Sequence, residues 1–359
     1  MSGMFLHTLH LHQFRSYREA KFTFSPSINL ICGPNAIGKT TILEAIHFLM
    51  TGRSFRTSQI NDLIQKGTSY FSIEASFIKQ GIEQKLKIFY NGKERKIVLN
   101  QTPYYSFTHL LGMFYGVCMS PDDSALIKGA PLMRRSFLDL QLAQSDPLYV
   151  HKLTRFTRAM RQRNYLLKGK NLATIESWEY EMAHAASYLT FKREVLAAQL
   201  HQNGQQIYEQ LSAGREKLGV VYKTTAPRSA SEEILKNYYL GQFQKLRKRE
   251  SELGCTLIGP HKDDLNLCLD DKEARYFASE GQQRSFVAAL KLAEWSSLKA
   301  VTEENPLMLI DDAGMSWDAF RKAKLLKYIE GLHQVFLTTT QDLPDDEAPA
   351  SLKRIIRLA

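Results

Sequence analysis

Apolar and polar side chains alternate from residue 4 to 24, with Phe5, Leu9 and Leu11 set against Thr8, His10 and His12, then Phe22 and Phe24 after a polar turn. A period of two predicts a strand hairpin. The apolar run Ile28, Leu30 and Ile31 follows, then a glycine-bounded turn, then helical spacing through Thr41 to Met50. Phe71, Ile73, Ala75 and Phe77 alternate with Ser72, Glu74 and Ser76. Leu86, Ile88 and Tyr90 continue the pattern, and Asn91-Gly92 before Ile97-Val98-Leu99 predicts a two-residue hairpin within an antiparallel sheet. Beyond Ser120-Pro121-Asp122-Asp123 the period becomes helical, over 131–168 and 176–213, with Trp178, Met182, Ala185 and Leu189 on one face. A strand at Val220-Val221-Tyr222, a polar helix from Ser231 to Glu252 and a strand through Leu265, Leu267 and Leu269 come next. The chain closes with a helix over Ser285–Val301, a continuous apolar run Leu307–Ile310, a helix starting at Asp318, the strand Val335-Phe336-Leu337, and an edge strand Arg354–Leu358.

The turn between the first continuous apolar strand and its helix reads Gly33-Pro34-Asn35-Ala36-Ile37-Gly38-Lys39-Thr40-Thr41. Gly, four residues, Gly-Lys-Thr is the spacing of a P-loop, in which backbone N–H groups wrap phosphate oxygens at the positive end of a helix. Gly33 and Gly38 permit the close approach. Lys39 is expected to reach the β- and γ-phosphates of ATP, and the Thr40 hydroxyl to take a place on Mg²⁺. Arg15, in Phe14-Arg15-Ser16-Tyr17, is placed on a loop near the nucleotide, and Arg53 and Arg56 lie on a polar loop after the helix.

A second group lies downstream. Ser279-Glu280-Gly281-Gln282-Gln283-Arg284 opens a helix, and Ser279 with Gln282 fits a capping box, which is a structural role in itself. The same helix end, with Ser279, Gly281 and Gln282, offers N–H donors and a hydroxyl to a terminal phosphate. The apolar run before Asp311-Asp312 predicts a central parallel strand whose carboxyl end meets ligand. Asp311 is expected to hold Mg²⁺ through water, and Asp312 to orient or deprotonate the attacking water. Thr339 or Thr340 is expected near the γ-phosphate. His261, on the turn Gly259–Asp264, faces either ligand or the protein interior.

Composition narrows the class. At 359 residues the chain is long for one core, which predicts one large α/β nucleotide-binding unit with a substantial insertion, or two lobes. No apolar run approaches the roughly 18 residues of a membrane span, and Met1-Ser2-Gly3-Met4 lacks a leader pattern, so a cytoplasmic protein is expected. Cys32, Cys118, Cys255 and Cys268 show no C-x-x-C pair, which argues for reduced, mostly buried thiols rather than a zinc ribbon. The net charge of +10 is clustered at Arg134-Arg135, at Arg155, Arg158, Arg161 and Arg163, at Lys168 and Lys170, and at Lys245, Arg247, Lys248 and Arg249. Such stripes suit a polyanion, without any motif for reading base edges.

Taken in order, these motifs resemble the RecF family of bacterial DNA replication and repair proteins, within the ABC/SMC-like ATPase class. The likeness runs nearly end to end and includes Phe14–Tyr17, the P-loop, Gly52-Arg53-Ser54-Phe55-Arg56-Thr57, Ser120–Asp123, Arg134–Asp139, Gly259–Asp264 and Ser279–Arg284. It implies an ABC/SMC-type ATPase head, a P-loop sheet plus an antiparallel β subdomain, over 1–118 and 254–359, with a smaller, mainly helical second lobe over 119–253. It further implies an ATP-driven homodimer in which Lys39, Thr40 and Asp311 act within one subunit and Ser279 and Gly281 act across the dimer. Slow hydrolysis would time release from gapped duplex or single-strand/double-strand junctions, with RecO and RecR as partners that load RecA. The family usually reads Asp-Asp-Val-Leu-Ser-Glu-Leu-Asp where this chain has Asp311-Asp312-Ala313-Gly314-Met315-Ser316-Trp317-Asp318. Met315 and Ser316 remove two polar groups from a loop expected to couple the paired sites.

Rival readings fit less of the chain. A transporter ATPase subunit leaves the basic stripes unexplained, an SMC- or Rad50-like protein needs long heptad arms that this sequence does not show, another ABC-type ATPase without a RecA-loading role leaves the family's own motifs unexplained, and a non-enzymatic DNA-binding module has no use for two phosphate-binding elements.

Overall fold

The computed structural model describes residues 3–212, 216–312, 319–340 and 352–358. Packing divides the chain into two units, one of Met1–Asp123, Gln210–Gly214 and Val287–Ala359, the other of Ser124–Glu209 and Arg215–Phe286. The first unit opens with β1 (Phe5–Phe14), β2 (Tyr17–Thr23), β3 (Ile28–Cys32), α1 (Lys39–Thr51), β4 (Phe71–Lys79), β5 (Ile82–Tyr90), β6 (Arg95–Leu99), β7 (Thr102–Tyr104) and β8 (Gly116–Met119). Six of these strands form an antiparallel sheet in the order β2-β1-β4-β5-β6-β7. The alternation shifts phase once. A bulge between Leu6 and Thr8 puts Leu6, rather than Phe5, into the core with Leu9 and Leu11. The two-residue turn is Gln80-Gly81, with φ 52° and 77°, and Lys79 pairs with Ile82 across it. Asn91-Gly92 instead opens a four-residue loop, because the Asn91 side-chain oxygen accepts from the N–H of Lys93 and Glu94 (3.1 and 2.7 Å) and holds the chain wider.

The second unit contains α2 (Ala125–Lys128), α3 (Pro131–Ser145), α4 (Pro147–Gly169), most of α5 (Ile175–Ser212), β9 (Leu218–Lys223), α6 (Glu232–Leu253), β10 (Asp264–Leu269), β11 (Lys272–Glu273) and α7 (Ala274–Phe277). The run expected as helical over 131–168 is two helices. Asp146 accepts from Tyr149 N–H (3.1 Å) as the cap of α4, and Pro147 takes the first helical position. The unit also extends past the expected 119–253. Residues 254–286 join it because β10 pairs antiparallel with β9 from Asp264↔Lys223 to Leu269↔Leu218, and Arg134 on α3 grips Asp264 with two bonds of 2.7 and 2.9 Å.

Two of the basic positions expected to meet a polyanion are therefore internal. Arg134 is buried on Asp264, and Arg163 is wholly buried against Glu179 (2.9 Å), Glu250 (2.6 Å) and Thr256 (3.0 Å), linking α4, α5 and α6. His261 turns inward as well. Its Nε2 lies 3.2 Å from Thr256 O, and burial, against the pull of that carbonyl, lowers its pKa to about 4.

The rest of the first unit is built from α8 (Glu280–Thr302, its first turns belonging to the second unit), β12 (Leu307–Ile310), α9 (Ala319–Ile329), β13 (Val335–Thr339) and β14 (Leu352–Arg357). With β3 and β8 these strands make a parallel sheet in the order β14-β3-β13-β12-β8, and β14 is the edge strand foreseen from Arg354–Leu358. α8 starts at Glu280, five residues before the expected Ser285. The expected helix start at Asp318 lies outside the described residues. Every residue of α1 from Thr41 to Thr51 is buried, and its apolar side chains join one cluster with Leu9 and Phe71 of the antiparallel sheet and Leu309 and Phe336 of the parallel one. None of the four cysteines forms a disulfide; Cys32 and Cys118 are buried, Cys255 and Cys268 half-buried. Among the described residues no helix is long and apolar enough to cross a membrane.

Truncating Arg163 to Ala leaves Glu250 buried without its arginine and Glu179 with Arg247 alone, and the second unit should lose about 3–5 kcal/mol, read as a lower denaturant midpoint. Acid should act through two histidines. Burial lowers the pKa of His47 to about 4, opposed by the Arg53 carbonyl, as it does that of His261. The unfolded chain, with histidine near about 6.5, takes protons first on acidification, so stability present above that pH is lost toward pH 4. Urea midpoints at pH 7 and pH 5 test this, and the difference should shrink when both histidines are replaced by Gln.

Candidate nucleotide-binding site

β3 is buried along its whole length and ends at Cys32, so the chain must turn at the carboxyl edge of the parallel sheet before α1 can pack beneath it. Gly38 makes that turn at φ 111°, and a Cβ there would come within 2.7 Å of the Tyr17 hydroxyl. A Cβ on Gly33 would fall 2.8 Å from Leu358 O, so neither position has room for a side chain. Ala36 is also left-handed, at φ 65°. Lys39 lies across the turn, its Nζ donating to Gly33 O (2.6 Å) and Pro34 O (2.8 Å).

The turn forms one wall of a cavity of about 790 Å³. Of the residues expected at the nucleotide, Arg15, Asn35, Ala36, Gly38, Lys39, Thr40, Thr41, Asp311 and Asp312 line it, whereas Gly33, Pro34 and Ile37 do not. Thr40 donates to both Asp311 carboxylate oxygens (2.9 and 3.0 Å), and Thr338 donates to Oδ1 (2.7 Å). Asp312, held at φ 57°, donates its N–H to Thr338 Oγ1 (2.8 Å). Burial, together with the charge of Asp311 and against the pull of Lys39, raises the Asp312 pKa. A hydroxyl beside carboxylates is an all-oxygen set of the kind Mg²⁺ prefers, next to a lysine and the amide end of a helix that suit polyphosphate. The residues present therefore fit a magnesium nucleotide.

Two participants escaped the sequence reading. Thr338, one residue before the expected Thr339 or Thr340, is the hydroxyl on the aspartates. Thr340 lines the cavity, while Thr339 offers its carbonyl to Gly33 N (3.4 Å). Of the two loop arginines that could face nucleotide or DNA, Arg56 lines the cavity and Arg53 does not. The second is Glu44, fully buried on α1, which binds Arg15 through two bonds (2.9 and 2.6 Å), accepts from the Ser54 hydroxyl and pairs with Arg56 at 3.5 Å. Helical spacing alone marks Glu44 only as a polar break in an apolar face.

In the second unit, Ser279 is exposed and forms the reciprocal capping box with Gln282, Ser279 N–H to Gln282 Oε1 (2.6 Å) and Gln282 N–H to Ser279 Oγ (3.3 Å). Gln282 also donates to Glu216 (2.7 Å), and Gly281 O accepts from Ser285 (3.1 Å). Ala313, Gly314, Met315, Ser316 and Trp317, where the sequence departs from the family pattern, lie outside the described residues.

An AAA domain profile matches residues 8–273. The DNA replication and repair protein RecF of Protochlamydia amoebophila is 50% identical over 338 residues, 94% of each chain. The chain belongs to the RecF family. RecF of Chlamydia abortus is 39% identical, covering 93% of this chain and 91% of its own. Among solved structures, the recombination mediator protein RecF-ATP in the RecFOR pathway superposes with a TM-score of 0.88 at 29% identity, over 95% of this chain and 93% of that one. An Smc head domain from Pyrococcus furiosus shares the fold alone, with a TM-score of 0.56 at 18% identity over 99% of this chain and 93% of that one. The expected fold, a RecF and SMC-head ATPase type with parallel and antiparallel sheets, is the one observed.

Replacing Glu44 by Ala leaves the Arg15 guanidinium without its two-oxygen partner. The first unit should lose about 3 kcal/mol, and hydrogen exchange should quicken at residues 13–17 and 53–57 while the β9/β10 pair keeps its protection.

Proposed function

We propose that this RecF-family chain is an ATP-dependent DNA-binding protein of recombinational repair and replication in the cytoplasm. The observation that carries the reading is the meeting of Lys39, Thr40, Asp311 and Asp312 on one cavity at the carboxyl edge of the parallel sheet. Lys39 exchanges the carbonyls of Gly33 and Pro34 for phosphate oxygens, Thr40 and Asp311 hold Mg²⁺, and Asp312, with its raised affinity for a proton, takes one from the attacking water. Bound Mg²⁺ would neutralise charge developing on the phosphate oxygens. Thr338 keeps the two aspartates in register.

The helix end at Ser279, Gly281 and Gln282 acts on the nucleotide of a second copy, so that ATP joins two chains and slow hydrolysis to ADP and phosphate releases them. The exposure of Ser279 at the capped start of α8 supports that role. Within the second unit Arg158, Arg161 and Lys168 of α4, Lys170 just past its end, and Lys245, Lys248 and Arg249 of α6 are exposed, on helices that pack together, and supply a sequence-independent phosphate footprint for gapped or junction DNA. RecO and RecR are the partners through which RecA is loaded.

Sedimentation should show a monomer without nucleotide and a dimer with ATP; a monomer that ATP leaves unchanged counts against the reading. Lys39→Ala should lose nucleotide binding, whereas Ser279→Ala should bind ATP and fail to pair. DNA affinity should fall steeply with salt and ignore sequence, and a flat salt response would point to a protein partner instead.

A further inference from the structure

The nucleotide site leaves unused a cluster on the face of the antiparallel sheet. His10 and His12 are two apart on β1 and so project from the same face. Glu19 of β2 stands directly across from His12. Both imidazole Nε2 atoms converge on the same oxygen, Glu19 Oε1, at 3.3 Å from His10 and 3.8 Å from His12, and the rings lie 4.4 Å apart. All three ligand atoms fall within 4.8 Å of one another. Two donors each about 2.0–2.2 Å from a tetrahedral zinc are about 3.3–3.5 Å apart, so these spacings are close to those of ligands around one ion.

The neighbours leave the three groups available. Glu74, across from His10 on β4, is committed to Lys87 at 2.6 Å. The His10 and His12 side chains are 27% and 33% exposed, which gives an ion access from solvent and partly dehydrated ligands. Two imidazoles with one carboxylate select a borderline transition metal of the zinc class over Mg²⁺ or Ca²⁺, unlike the all-oxygen set at Thr40 and Asp311.

We propose that His10, His12 and Glu19 form a Zn²⁺ site with remaining positions open to water, and that the ion clamps β2 to β1. β2 is an edge strand held on one side only, and the tip of this hairpin carries Arg15 and Ser16 to the cavity wall and the Tyr17 hydroxyl to Gly38 O (3.4 Å). A cross-link between His12 and Glu19 lies two residues from Phe14 and Tyr17, the last pair before that tip. The clamp therefore stiffens one wall of the cavity without touching the groups that would hold nucleotide.

The test is calorimetric titration of the full, untagged chain with Zn²⁺ alone, nucleotide and Mg²⁺ absent, followed by hydrogen exchange. A saturable one-to-one complex is expected. His12→Gln and Glu19→Gln should weaken it by roughly a hundredfold or more, since even losing a partner of a ligand costs up to that much, while His7→Gln on the same strand leaves it unchanged. Zinc should slow exchange across residues 5–23 in the parent and not in the two ligand variants, whose circular dichroism should match the parent because all three positions face solvent. No zinc binding, or binding equally tight in both variants, would overturn the site. Binding with exchange unchanged would overturn the clamp.

Discussion

One carboxylate ties the carboxyl edge of the parallel sheet together. Asp311 follows β12, Thr40 lies in the first turn of the helix after β3, and β13 runs between those two strands. Neighbouring strands lie about 4.8 Å apart, so β3 and β12 are separated by roughly twice that, and a side chain from the strand between them must fill the gap. Thr338 does so, donating to Asp311 and accepting from the Asp312 N–H. The pairing Ile310↔Leu337 and Leu337↔Leu30 sets its height. A slip of one residue in β13 would turn Thr338 to the opposite face and put Leu337 or Thr339, depending on its direction, against the aspartates. Register in this sheet thus decides which side chain meets the aspartates as well as how the strands pair.

The second constraint is a buried charge. α1 has no solvent-facing side from Thr41 to Thr51, yet it carries Glu44, whose side chain is fully enclosed. An ionised carboxylate in such a place is tolerated only when its oxygens are fully engaged. Arg15, Arg56 and Ser54 engage them, drawing the β1–β2 tip and the loop after α1 toward the helix that begins at Lys39. Two arginines are thereby fixed on the cavity wall by a residue that never touches the cavity. Movement of the helix start and movement of either arginine loop are coupled through that one side chain.

What could be read from the residues follows the range of the interactions involved. The strand, P-loop and helix were legible because Gly33, Gly38, Lys39 and the apolar periods around them are local signals, and the Ser279 cap is local too. The phase shift at Leu6 was hidden because a bulge leaves composition unchanged. Asp146 was hidden because a capped Asp-Pro junction inside a long helical period looks like one polar position among many. Thr338 was missed for its neighbours since three consecutive threonines differ only in which face the strand gives them. The division of the chain shifted because the β9–β10 pairing joins segments on either side of α6, and no short window contains both. Glu44 and Arg163 share a cause: a buried ion pair presents the same letters as a solvated one.

That last ambiguity bears on how the basic character should be read. Arg134 with Asp264, and Arg163 with Glu179 and Glu250, satisfy their charge inside the second unit, and the partly exposed Arg155 and Arg247 are matched to Glu181 and to Glu176 and Glu179. Together these contacts engage at least as many carboxylates as arginines, so they account for none of the surplus of +10, which resides on other side chains. Counting stripes along the sequence therefore finds the correct net charge on partly the wrong residues. Once the paired arginines are set aside, α4, the residue just past its end and α6 still present Arg158, Arg161, Lys168, Lys170, Lys245, Lys248 and Arg249 to solvent, where each can neutralise a phosphate without first breaking an internal bond. Long, flexible, exposed cations of this kind can follow a backbone of regularly spaced charges and carry no information about bases, which is what the proposed sequence-independent DNA footprint requires.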